Sequence, residues 1–151
     1  MNKKKKGVVK RAIVTPDKHF PLADMPAINV LCQAIEIVKP DIYIDLGDTG
    51  EWHEFSSHKW KGKQKPPLEY LVDNFDRDVK SVNSGMDIFD EALDKVNCKE
   101  KYFCEGNHEN WLNLTVDEHP YIPQYRAKTA LKLDERGYKY YPMGEYLKVG
   151  K

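Results

Sequence analysis

Residues 42–51 read IYIDLGDTGE. The alternation of β-branched and aromatic residues from Ile42 to Leu46 predicts a strand, and Gly47 breaks it. Upstream, residues 8–15 (VVKRAIVT) form a second apolar, β-branched run bounded by a lysine cluster and Pro16, which predicts another strand. Between the two, Asp24 is placed to cap a helix with Pro26 in its first turn. Ile28, Leu31, Ile35 and Val38 recur at helical spacing until Pro40 stops the pattern. The order strand, helix, strand is that of a βαβ unit and predicts a parallel sheet.

Further along, apolar residues from Leu71 to Val96 repeat every three or four positions, so residues 68–97 predict one long amphipathic helix, or two broken near Ser84 and Gly85. Residues 101–104 predict a third strand ending at Gly106. A helix is expected to begin within residues 110–114, and a further helical stretch spans 123–136, closed by Gly137. Residues 138–142 and 146–149 read as strands.

A chain of 151 residues has the length of one domain. We expect a basic, disordered tail over residues 1–10 and a single domain over 11–151. Residues 1–11 carry six bases and no acid, leaving 18 bases against 24 acids in the other 140 residues. Such a tail can touch nucleic acid through counterion release or serve as a solubilising end. No apolar run is long enough for a membrane span and no apolar segment follows the charged N-terminus, so a cytoplasmic protein is expected. The cysteines, Cys32, Cys98 and Cys104, have no zinc-knuckle spacing and read as free thiols.

Three clusters of metal-capable side chains each lie where a predicted strand enters a loop: Asp17-Lys18-His19, Gly47-Asp48-Thr49-Gly50-Glu51, and Gly106-Asn107-His108-Glu109. The carboxyl ends of parallel strands lie side by side, so these distant residues are expected to converge at one sheet edge. Carboxylate, imidazole and amide oxygen form the ligand set of borderline divalent ions such as Mn, Fe or Zn, not of a thiolate cage. Gly47 and Gly106 suit sharp turns beside a ligand.

In order and context the three segments resemble the calcineurin-like metallophosphoesterase family, most closely its phage-encoded versions. The family pattern is Asp-x-His, Gly-Asp-x-x-Asp or Glu, and Gly-Asn-His-Asp or Glu. The resemblance implies an α/β fold, a metallophosphoesterase-type β-sandwich flanked by helices. It implies hydrolysis of phosphomonoesters or phosphodiesters at a dinuclear centre of Mn, Fe, Zn or Mg. Carried over, it makes Asp17 and His19 ligands of one ion, Asp48 the bridge, and Asn107 a ligand of the second. His108 would contact the phosphate and assist the leaving group, with Glu109 orienting its ring. Two cations together polarise the phosphoryl group and activate water.

The family continues with a His-bearing strand end and a Gly-His-x-His segment. After His108 this chain has only His119, in Glu118-His119-Pro120, matching neither. At most one ion is therefore expected here, on a domain incomplete at its C-terminus. A chain cut short, a gene split so that a second chain supplies the remaining strands, and a degenerate protein with a binding role all fit. A sheet lacking later strands would also favour self-association.

Residues 52–65, WHEFSSHKWKGKQK, leave the second cluster directly. Trp52, Lys59, Trp60 and Lys61 are candidates to contact substrate, with indoles on bases and ammonium groups on phosphates, which prompts the alternative of a nuclease. The other reading is a loop whose aromatics pack onto the body. The acids of the long helix (Asp73, Asp76, Asp87, Asp90, Glu91, Asp94) read as a solvated face.

Overall fold

The computed structural model describes residues 9–150. The first eight residues lie outside it, including most of the expected tail and Val8 of the expected first strand. Four strands, β1 (Ala12–Thr15), β2 (Ile42–Asp45), β3 (Glu100–Cys104) and β4 (Tyr138–Tyr141), form one parallel sheet in the order β1-β2-β3-β4. The helices are α1 (Met25–Val38), α2 (Leu68–Lys95), α3 (Asn107–Glu118) and the short α4 (Ala127–Ala130). The fold is mixed α/β, as the strand and helix pattern predicts.

Most elements begin and end where local chemistry says they should. The Asp24 carboxylate accepts from the N–H of Ala27 at 3.2 Å to start α1, and Lys39 closes it in a left-handed conformation before Pro40. Helix α2 is continuous rather than broken at Ser84 and Gly85. Gly85 is there because the Phe20 ring packs against its backbone, where a Cβ would sit 2.4 Å from that ring.

Three expectations fail. Helix α3 starts at Asn107, not near Asn110, with Gly106 as its cap. Residues 123–136 are not one helix: a 3-10 turn, α4 and further turns occupy them. Residues 146–149 form no strand, and Tyr146 lies 96% exposed. Among the described residues no neighbour pairs with that segment, and an unpaired strand leaves its backbone groups to water.

A sequential parallel sheet with right-handed crossovers places all its connections on one face. The core agrees, because Tyr43, Phe103 and Tyr138 point to one side and pack with Ile35 of α1, Phe89 and Leu93 of α2, Leu112 of α3 and Ala130 of α4. The opposite face carries Val14, half exposed, with Tyr102 and Tyr141 partly covered and Lys139 over the Tyr102 ring. Among the described residues the strands make a single sheet. The acidic side of α2 is not uniformly solvated: Asp90 accepts from Lys101 of β3 at 3.0 Å and from Arg136. The three thiols are free, and burial pushes each above its ordinary pKa.

Candidate metal centre

The loops following β1 and β2 run on together beyond the sheet. The N–H groups of Asp17, His19 and Phe20 donate to the carbonyls of Gly47, Asp48 and Thr49, and the Glu51 N–H donates back to Phe20. Lys18 is buried beneath this ribbon with its ammonium 2.8 Å from the equally buried Asp45 carboxylate, which also accepts from Gly47 N–H and Thr49 Oγ1. Neither charge could remain there without the other. The pair fixes the two loops in register.

The loop after β3 approaches from the other side. A Cβ on Gly47 would lie 2.2 Å from the Gly106 nitrogen, and one on Gly106 would lie 2.2 Å from an Asp48 carboxylate oxygen. Only glycine lets these loops meet so closely. Asp17, His19 and Asp48 all hold left-handed φ angles, near +50°. Such backbone conformations carry strain in residues other than glycine and concentrate at functional sites.

At this junction His19, Asp48 and His108 each offer a ligand atom, and these atoms lie within 4.8 Å of one another. All three residues are half-buried, reachable from solvent. Asp48 is anchored to the first turn of α3, its Oδ1 accepting from the His108 N–H at 2.9 Å. Asp17 lies alongside, its Oδ1 3.7 Å from His19 Nε2. Asn107 occupies the first position of α3, next to His108, and is exposed.

Both imidazoles are oriented by one residue that the sequence reading gave no role. The Glu51 carboxylate accepts from His19 Nδ1 at 2.9 Å, and the Glu51 backbone carbonyl accepts from His108 Nδ1 at 2.6 Å. With Nδ1 carrying the proton in each ring, both Nε2 atoms are left as free lone-pair donors. The motif spacing could have singled out Glu51. No feature of the sequence says that its backbone would serve His108.

Glu109 therefore does not orient the His108 ring. It is wholly buried, and its carboxylate accepts from the backbone N–H groups of Asp48, Thr49 and Gly50 at 2.7–3.2 Å and from Trp52 Nε1 at 3.4 Å. It holds the turn that carries Asp48. Burial pushes this carboxyl up to about 7, opposed by the N–H groups of Gly50 and Asp48.

Trp52 is likewise no substrate platform. It is fully buried, stacked on Phe75 of α2 with ring centroids 5.9 Å apart. Lys59 is tied to Glu54 and lies over Trp60, while Lys61 is exposed. Trp60 is partly exposed and lines a cleft with Trp111. Trp111 in turn packs on His108 with ring centroids 4.0 Å apart.

Compared with family models, curated proteins and solved structures, the chain finds no match.

Proposed function

We propose that this chain is a metal-dependent phosphoesterase of the metallophosphoesterase type, acting on phosphomonoester or phosphodiester bonds. The observation that carries the proposal is the meeting of His19, Asp48 and His108 from three separate strand ends, with ligand atoms within 4.8 Å. Two imidazoles and a carboxylate fit a borderline divalent ion such as Mn, Fe or Zn. His19, Asp48 and His108 would hold it, with Asp17 beside them, which makes His108 a ligand rather than the phosphate contact that the resemblance implies. Bound there, such an ion would polarise a phosphoryl oxygen and stabilise charge developing on the phosphoryl group.

The chain's own groups do the rest. Glu51 holds both imidazoles by Nδ1, and Glu109 and the Lys18–Asp45 pair hold the loops that carry the ligands. The positive end of the α3 dipole lies at Asn107, and the first-turn N–H of His108 is spent on the Asp48 carboxylate, which it holds in place. The sheet face that carries Val14 and Tyr102 is where the second layer of a sandwich would pack.

A second reading is a non-catalytic binding module, favoured by the single three-residue cluster among the described residues. Mn2+-dependent hydrolysis of bis(p-nitrophenyl) phosphate separates the two. The enzyme reading expects turnover that depends on Mn2+ and collapses in Asp48→Asn. A chain that takes up Mn2+ yet turns over nothing would remove catalysis by these residues alone and leave the binding module or a phosphoesterase completed by further strands.

A further inference from the structure

Beside the candidate metal centre lies a cleft of about 400 Å3 between the loop of residues 52–67 and α3. Its walls are mainly apolar: Trp60, Phe55 and Leu71 on one side, Trp111 and Leu114 on the other. Volume and lining fall in the range of small-molecule sites, where an apolar chamber carries a few polar groups that set orientation. Those groups here are Glu54, Ser56, Ser57, Thr115, Glu118 and His119, with Lys65 ion-paired to Glu118 at 2.6 Å.

The cleft is joined to the ligand cluster through aromatic contact. Trp111 lines the cleft and packs on His108, and the His108 ring stands edge-on to that of His19 at 4.6 Å. A molecule whose charged end reached the cluster would therefore lay its other end against Trp111. Two indoles suit a flat π-system better than an acyl chain, and hydroxyl and carboxylate acceptors suit ring amino groups. Lys59 and Lys65, at the same cleft and loop, are paired with Glu54 and Glu118, so recognition there rests on the aromatic walls rather than on net charge.

We infer that this cleft seats the nucleobase of a nucleotide phosphoester whose phosphate faces His19, Asp48 and His108. The inference rests on the phosphoesterase reading and adds the substrate class. It withdraws the base-contacting role from Trp52, which is buried, keeps it for Trp60 and adds Trp111.

Equilibrium dialysis of the Mn2+-equilibrated chain against adenosine 5′-monophosphate, adenosine and ribose 5-phosphate tests it. Stacking of one base on an aromatic side chain is worth about 1–3 kcal/mol, so the nucleotide should bind about 5- to 160-fold more tightly than ribose 5-phosphate. Trp60→Ala should erase most of that preference. Because Trp60 Nε1 also donates to the Glu54 carbonyl at 2.7 Å, Leu114→Glu serves as a second variant, placing a charge in the cleft from an exposed position on α3. Mn2+ uptake should be unchanged in both.

Equal affinity for the nucleotide and ribose 5-phosphate, or a preference that survives both substitutions, would overturn the inference. If the nucleotide binds more tightly than adenosine but no more tightly than ribose 5-phosphate, the phosphoesterase reading stands and the cleft assignment alone fails. A nucleotide that gains nothing over adenosine removes both, and one that does not bind while ribose 5-phosphate does removes the cleft assignment alone.

Discussion

Glu51 acts on the two imidazoles through different atoms, its side chain on His19 and its backbone carbonyl on His108. Substitution therefore reaches only one of them. Without the carboxylate, His19 loses the acceptor that fixes its tautomer and ring angle, and loss of such an outer partner typically lowers metal affinity about 10- to 100-fold. Glu51→Ala should show a weakening of that order in Mn2+ dialysis. Glu51→Gln retains an oxygen that can accept from Nδ1, so it should recover most of the affinity. Equal weakening in both would mean that the negative charge of Glu51, rather than its hydrogen bond, matters to the ion.

At the scale of elements, one acid, Glu54, ties together the middle of the loop of residues 52–67 and α2. Glu54 accepts from Lys59 and from the Tyr70 hydroxyl on α2, while its backbone carbonyl accepts from Trp60 Nε1. Burial alone would push this carboxyl up. The Lys59 ammonium and the Tyr70 hydroxyl outweigh it and hold the group below its ordinary value of 4.5. A carboxyl lowered by folding contributes stability in full above its unfolded value and loses it as the pH falls through the folded one. The Tm of the wild-type chain should therefore drop more steeply than that of Glu54→Gln as the pH is lowered beneath 4.5. Parallel curves would show that the ion pair does not steady the loop.

The same loop shows where a sequence stops being legible. The four strands of the sheet, though not the fifth expected over 146–149, the cap at Asp24 and the convergence of three strand-end motifs follow from periodicity, turn chemistry and parallel topology, each of which is local or governed by a general rule. The fates of Trp52 and Trp60 do not. Both are indoles among lysines, yet Trp52 is buried because the turn at Gly50 brings its Nε1 to Glu109, 57 positions away. Likewise Glu109 reads as a partner for its neighbour His108, but the first turn of α3 directs it toward the backbone of Asp48 and Thr49 instead. Long-range hydrogen bonds of this kind leave no mark in composition or spacing.

For the molecule as a whole, the ligand cluster joins three loops that come from neighbouring strands, so an ion held there would tie β1, β2 and α3 together. A ligand that binds only the folded chain stabilises it by mass action, by about 2.7 kcal/mol at a free concentration 100 times its Kd. In a domain of about 150 residues each kcal/mol moves Tm by roughly 2–4 °C. Mn2+ at that excess should thus raise Tm by about 5–11 °C, and a chelator should reverse the shift. One cluster of three side chains among the described residues sets the expected stoichiometry at one ion per chain. Asp48→Asn should lose the shift, because the carboxylate that neutralises the ion is gone while the fold keeps Asp45, Lys18 and Glu109 in place. A Tm insensitive to Mn2+, or a second ion taken up with comparable affinity, would require ligands other than His19, Asp48 and His108, and elemental analysis beside the melting curve distinguishes these outcomes.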